Sequence, residues 1–367
     1  MNTDSSSYLQ GSDTGDIGSR KAQHLELCIR GDDYDVESGS TRFDELSFVH
    51  HALPELSADH LDTTQDFLGY RMKLPLFISS MTGGSAEGYR ANKDLARAAQ
   101  ACGIPVGMGS IRILFRKPEV FDHFHLKALA PDVPVFANIG AVQLREMAHE
   151  EIYEVIRRLE VQAVAVHLNA GQELFQPGGD RDFRGLFDAL RRFTESAPVP
   201  VIVKETGFGI RPRDARRLLD AGVSYVNVAG AGGTNWIQVE AHRLPPAGAR
   251  AARAFEGWGT PTALLLGAIG YQGGRVLASG GLRGGMDLAK SLALGAFAGG
   301  LALPFIRAVT ADGMDGVMAK VAEVQQVLES VMVLTGSSTL DELRNAPLWA
   351  GEEFEHDLTA LRTAEGI

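Results

Sequence analysis

The chain has 367 residues, 45% of them hydrophobic and 22% charged, an ordinary balance for a globular protein. A formal net charge of -11 argues against a nucleic-acid surface, which needs clustered Lys and Arg, but not against an anionic small ligand held by a local basic cluster. Two cysteines, Cys28 and Cys102, are too few for a disulfide framework and lack metal-site spacing; no basic-then-apolar leader opens the chain, and no run approaches the ~18 apolar residues of a membrane span. A soluble cytoplasmic protein is the expectation.

Residues 1–19 are rich in Ser, Asp and Gly and are expected to be disordered, leaving residues 20–367 as one domain. Next comes "SRKAQHLELCIR" (19–30), whose Arg20, Lys21 and His24 read locally as a solvated basic segment. Eight short apolar runs follow: 74–80, 104–110, 133–140, 163–170, 199–205, 223–230, 275–281 and 296–304. Amphipathic stretches such as "DLARAAQACG", "EEIYEVIRRLE" and "PRDARRLLDAG" separate them. Alternation of this kind points to an α/β fold, a (β/α)8 TIM barrel with an N-terminal extension, with a doubly wound open sheet as the alternative.

What favours the barrel is where the unusual residues fall. Nearly every run ends in a polar or glycine cluster: "SSMTGG", "GSIR", "ANIGA", "HLNAGQE", "KETGFG", "AGAGGTNW" and "SGGLRGG". A barrel gathers all strand C-termini around one mouth, so scattered clusters become one pocket. In "SGGLRGGMDLAKSLALGA" (279–296) a glycine pair precedes a helix, where backbone N–H groups face an anion at the positive end of the helix dipole. The glycines of "GAGG" (230–233) would add amides to the same rim, although each loop alone is equally a tight turn.

Two further clusters have both a functional and a structural reading. His167, Asn169, Gln172 and Glu173 end the fourth run, where imidazole and amides suit a diphosphate and Glu173 suits a Mg2+ shared with phosphate oxygens. Alternatively, His167 is a bonded core histidine and Glu173 caps the next helix. Lys204 ends the apolar run "VPVIVKE", poised to neutralise negative charge at the mouth or simply to pair with Glu205.

These motifs, in this order from about Arg20 to past Phe305, resemble the type 2 isopentenyl diphosphate isomerases. The resemblance implies an FMN- and Mg2+-dependent barrel, primed by NAD(P)H, that interconverts isopentenyl and dimethylallyl diphosphate. It also implies a cytoplasmic homotetramer or homo-octamer that binds neither nucleic acid nor membrane. Carried over residue by residue, Met81, Thr82, Gly83, Ser110, Asn138, Lys204, Thr234, Gly280, Gly281, Arg283, Gly295 and Ala296 match flavin contacts. Arg20, Lys21, Arg112, His167, Asn169 and Gln172 match the substrate side, Lys204 and Gln172 the catalytic groups, and Glu173 the metal carboxylate. The basic pair comes from a neighbouring subunit in some members.

The chain departs from the family pattern at Ile111, at Ala170-Gly171 and at Asn235, where Gln, Pro-Leu and Ser are usual. Two rival functions are an FMN-dependent 2-hydroxy-acid oxidase or dehydrogenase and a catalytically silent FMN-binding protein. The first needs a histidine base and an arginine on the sixth and seventh strand-end loops, and "AGAGGTNW" holds neither.

Overall fold

The computed structural model describes residues 17–30, 34–83 and 85–367. Each of the eight apolar runs contains a barrel strand: β1 (Leu76–Ile78), β2 (Val106–Ser110), β3 (Val135–Gly140), β4 (Ala163–His167), β5 (Val201–Lys204), β6 (Tyr225–Asn227), β7 (Val276–Ala278) and β8 (Ala298–Leu301). The strands form a closed parallel barrel in which β8 returns to β1, with Gly299 opposite Leu76 and Leu301 opposite Ile78. Strands buried on both faces explain why the runs read as continuously apolar rather than alternating.

The intervening helices carry the expected end signals. Helix Ala86–Cys102 starts where the Ser85 hydroxyl accepts the N–H of Gly88 at 3.0 Å and stops at Gly103, which is left-handed at φ 67. Its Leu95, Ala96, Ala98 and Ala99 are buried, and it packs on the long helix Leu303–Thr335. That long helix is broken at Asp312 and Gly313, where the backbone leaves helical geometry.

One end of the barrel is plugged. A hairpin of strands Gln65–Phe67 and Tyr70–Met72 inserts Phe67, whose ring lies 5.1 Å from that of Tyr225 and 5.8 Å from that of Phe136. Replacing a buried phenyl group of this kind with alanine costs about 3–5 kcal/mol. The plug leaves the C-terminal mouth as the open end.

The first described residues belong to helix Ile17–Ile29. Of the segment expected to be disordered, 1–16 lies outside the described residues, whereas 17–19 opens this helix. Downstream, residues 36–41 run beside the loop after β6. Asn235 N–H donates to Val36 O at 2.8 Å, Ser38 N–H to Gly233 O at 3.3 Å, and Glu37 pairs antiparallel with Thr234.

This strap gives the "GAGG" glycines a packing role, the structural reading of that loop. Gly232 sits at φ 109, and a Cβ on it would overlap the backbone of Ser40 and Thr41. A Cβ on Gly233 would lie 2.6 Å from Gly281 N in the loop after β7. Neither glycine lines the mouth cavity. Their smallness seals the strap and the two loops against one another.

Gly232→Val should therefore lower the stability of the apo-protein by about 2–3 kcal/mol, read from urea unfolding. An unchanged unfolding midpoint would mean that the strap does not pack on this loop.

Candidate active site

The strand ends converge on a cavity of about 300 Å³, at the low end of the ~300–1,000 Å³ typical of small-molecule sites. Its lower tier is a belt of polar side chains carried by neighbouring strands. Ser110 of β2 lies opposite Asn138 of β3, His167 of β4 opposite Lys204 of β5, and Lys204 opposite Asn227 of β6. Hydrogen bonds tie the belt sideways: His167 Nδ1 to Asn138 Oδ1 at 2.9 Å, and Ser279 Oγ to Asn227 Oδ1 at 2.6 Å. With Asn138 Oδ1 accepting, Nδ1 of His167 carries a proton. The strand register thus turns single polar residues at the ends of apolar runs into an arc.

Lys204 is the cation of that belt. Its Nζ donates to the Glu205 carbonyl at 2.7 Å, and burial pushes its ammonium down to about 8 against the pull of Glu205. The expected alternative, a carboxylate ion pair with Glu205, does not form among the described residues. The Glu205 carboxylate turns into its own loop and accepts the N–H groups of Gly207, Phe208 and Gly209 at 2.7, 2.5 and 3.0 Å. Burial pushes Glu205 up, and those backbone bonds oppose the shift.

The upper tier stands on the loops and short helices that follow the strands. Arg112 lines the cavity from the turn after β2. On helix Ala170–Phe175, the buried Glu173 accepts Asn169 Nδ2 at 3.0 Å on one oxygen; on the other it accepts Gln176 Nε2 at 3.3 Å and the Asp180 N–H at 2.9 Å. These bonds pin the carboxylate at the mouth, within the helix it would otherwise have capped.

Gln172 is held by a residue that the sequence did not single out. Its Nε2 donates to Oε1 of Glu240 at 3.1 Å, and Glu240 is 0% exposed. His24 Nε2 meets the same oxygen at 2.9 Å, and Arg243 meets the other at 2.5 Å. Burial resists ionisation of Glu240, but His24, Arg243 and Gln172 together hold its carboxyl below the usual carboxylate range. His24 also packs edge-on to Trp236, with ring centroids 5.4 Å apart. Through these contacts the N-terminal helix roofs the cavity, adding Leu25 and Cys28 to its lining. His24 is therefore no solvated basic residue. The Arg20 and Lys21 side chains lie outside the described residues.

Most of the remaining expected residues reach the cavity: Met81, Thr82, Thr234, Gly280, Gly281 and Arg283 line it. Arg283 is ion-paired with Glu37 of the strap. Three do not. A Cβ on Gly83 would lie 2.7 Å from the Phe124 ring, so this glycine makes room for packing beside the site. Gly295 and Ala296 precede β8 and therefore sit at the opposite end of the barrel, where Gly295 abuts Gly270 and Tyr271. Reading the last strand as starting at 296 placed them at the wrong end. The residues at the C-terminal end of β8 that line the cavity are Gly300, Ala302 and Leu303.

Asn227, Ser279, Gln143 and Glu240 are the lining or supporting groups that sequence reasoning missed. Asn227 carried a usable signal, a polar residue inside an apolar run just as Lys204 is. Glu240 carried none, because its partners come from distant elements.

The departures from the family pattern have structural reasons, and none of the four residues lines the cavity. Ile111 is fully buried in the core. Gly171 packs under Phe208, whose ring would lie 2.7 Å from an added Cβ, and Ala170 is exposed beside it. Asn235 caps helix Trp236–Ala241, accepting the N–H groups of Ile237 and Gln238 at 3.0 and 3.2 Å. Its Nδ2 reaches Ser38 Oγ at 3.0 Å, which shorter serine could not do.

The profile of the FMN-dependent dehydrogenase family matches residues 29–114 and 147–350. Among solved structures, the lactate oxidase of Pediococcus acidilactici superposes with a TM-score of 0.64 at 19% identity, covering 91% of this chain and 94% of that one. A mutant mandelate oxidase with a monooxide FMN adduct gives 0.62 at 21%, covering 89% and 99%. Identities this low establish the fold alone. Closer in sequence is the isopentenyl-diphosphate delta-isomerase of Borrelia garinii subsp. bavariensis, 43% identical over 325 residues, 88% of this chain and 91% of that protein. The namesake from Halobacterium salinarum is 41% identical over 92% and 94%, and that from Pyrococcus furiosus 36% over 90% and 86%. With this identity sustained along nearly its whole length, the chain belongs to the type 2 isopentenyl-diphosphate delta-isomerases, within the FMN-dependent dehydrogenase family.

Proposed function

We propose that this protein interconverts isopentenyl and dimethylallyl diphosphate, using FMN primed by NAD(P)H and a Mg2+ ion held with the substrate. One observation carries the reading: a polar tier built around Glu173 and the Gln172–Glu240 pair stands above the Lys204 belt. Binding a flavin needs neither Glu173 nor the Gln172–Glu240 pair. The upper tier fits a second, anionic ligand that comes with a metal.

The residues suit the groups assigned to them. Lys204, Asn138 and Ser110 offer a cation, an amide and a hydroxyl to the polar edge of a flavin, and Gly280, Gly281 and Arg283 line the side suited to its phosphate. No group of three His, Cys, Asp or Glu side chains forms a metal site among the described residues. A Mg2+ at Glu173 would therefore take its other ligands from diphosphate oxygens and water, the usual way this ion is shared with a substrate.

The reaction adds a proton to the terminal alkene carbon and removes one from the carbon on the far side of the double bond. Reduced FMN, when bound, supplies an acid strong enough for an unactivated alkene, with N5 as the proton carrier. The protein's part is placement. Arg112, His167 and Asn169 hold the diphosphate, while Met81, Trp236 and Leu25 exclude water from the hydrocarbon. Lys204 would balance the negative charge of the reduced flavin. Gln172 is fixed between Glu240 and Asn169, which lies 3.4 Å from its Oε1, and so presents a rigid amide dipole at the mouth. The 2-hydroxy-acid oxidase reading lacks its base, since the loop after β6 carries no histidine.

In heavy water, the FMN-loaded protein should place deuterium in recovered isoprenyl diphosphate. Recovery of unlabelled substrate would instead identify a silent flavin-binding protein.

Glu173→Gln should retain FMN and lose activity by roughly 100-fold or more across a Mg2+ titration. Wild-type turnover by this variant would refute the metal assignment.

The buried Lys204 adds a pH dependence. An anionic reduced flavin raises the pKa of Lys204 on binding, so binding takes up a proton once the free protein has begun to lose it, above about 8. Affinity for reduced FMN should be flat near neutrality and fall by about tenfold per pH unit above the Lys204 pKa. Anaerobic flavin titrations check this, and a flat profile through that range would place Lys204 away from the flavin charge.

A further inference from the structure

We infer that Gln143 is an additional substrate-contact residue, whose carboxamide donates to a diphosphate oxygen beside His167. The inference rests on the isomerase reading above and names a ligand group within it. Gln143 lies on helix Ala141–Glu146, which starts directly at the end of β3. It lines the cavity and is only 6% exposed, yet its carboxamide makes no hydrogen bond with any described residue. The amide atoms are not among the fully buried polar atoms that lack a partner, so they open onto the cavity, where water satisfies them until a ligand arrives.

Its neighbours identify that ligand. A Cβ added at Gly140 would overlap Oε1 of Gln143 and lie 3.1 Å from His167 Nε2, so carboxamide and imidazole share the space beside Gly140. That glycine keeps the space open.

Position along the strands separates Gln143 from Asn138. Gln143 follows the end of β3 as Arg112 follows β2 and Asn169 follows β4, and Gly140, in register with His167, lies two residues nearer the mouth than Asn138. At that level an amide N–H adds a donor for an anion without adding charge, beside the cationic Arg112. A carboxamide also tells a phosphate oxygen from a hydrocarbon, because its donor is left unpaired when the latter sits there.

The test compares the FMN-loaded wild type with Gln143→Met, which keeps the length but cannot donate, and Gln143→Glu, which adds a repelling charge. Four quantities are measured: KM and kcat for isopentenyl diphosphate, the inhibition constant of inorganic pyrophosphate with Mg2+, the FMN dissociation constant, and the melting temperature. Gln143→Met should raise KM and weaken pyrophosphate binding in parallel, each by about 10- to 100-fold, the worth of a hydrogen bond to a charged group. Its kcat should change by less than about threefold, because uniform binding is what is lost. Gln143→Glu should weaken both further, while FMN affinity and melting temperature stay at wild-type values.

Unchanged KM and pyrophosphate binding in Gln143→Met would overturn the inference, as would a loss confined to FMN affinity. Should the wild type fail to isomerise, the functional reading falls; pyrophosphate binding to the FMN-loaded proteins, followed by calorimetry, then still decides whether Gln143 contacts a diphosphate.

Discussion

The pairing of β8 with β1 is the contact on which the site depends. Where Gly299, Gly300 and Leu301 lie opposite Leu76, Phe77 and Ile78, an open ribbon of eight strands becomes a ring with one mouth. Closure puts Ser110, Asn138, His167, Lys204 and Asn227 on one circumference, although they are spread over more than a hundred positions of the chain. It also buries them. A lysine on an open sheet edge would keep its water; inside the ring, desolvation lowers its pKa and makes an anionic partner worth far more than it would be in bulk solvent. With the hairpin of Phe67 plugging the other end, the C-terminal mouth is the end of the barrel that opens onto the cavity.

The mouth is completed by residues that precede the barrel. The strap of residues 36–41 holds the loops after β6 and β7, and Glu37 takes the guanidinium of Arg283. Above it, His24 reaches Glu240 and through it Gln172. These contacts also set the charge at the mouth of an acidic protein. Its carboxylates at the mouth are individually occupied: Glu205 by backbone N–H groups, Glu240 by His24 and Arg243, and Glu173 by neutral donors. Of the cations that line the cavity, Lys204 and Arg112 meet no carboxylate among the described residues, whereas Arg283 is paired with Glu37. Local field, not net charge, sets the chemistry.

The fold is shared with lactate and mandelate oxidases at about a fifth of positions identical, and the barrel by itself does not distinguish these activities. The difference lies in what the strand-end loops carry. Here part of the loop after β6 packs, with Gly232 seated against Thr41, Gly233 against Gly281 and Asn235 both capping a helix and binding the strap, while Ala229 and Thr234 line the cavity. Further polar groups line the cavity after β2, β3 and β4: Arg112, Gln143, Asn169, Gln172 and Glu173.

While the order in which the strands pair came from the closed ring, the sequence by itself determined the eight strand-bearing runs and the polar or glycine cluster that follows most of them. Those features are local: apolar runs of strand length, helix caps such as Ser85 and Gly103, and a break in polarity at Ser110, Asn138, His167 or Lys204 can be read within a few positions. Tertiary structure alone decided which groups face the cavity and which partners they meet there. Glu240 looks like any helix-surface carboxylate until the fold buries it against Gln172, 68 positions earlier, and His24. The motif glycines at 232, 233 and 295 look like ligand cradles until the chain returns to place Thr41, Gly281 or Tyr271 against them. The physical reason is the same in each case. Secondary structure follows from interactions a few residues apart, whereas burial and hydrogen-bond partners are properties of the closed ring, and no short window of sequence contains them.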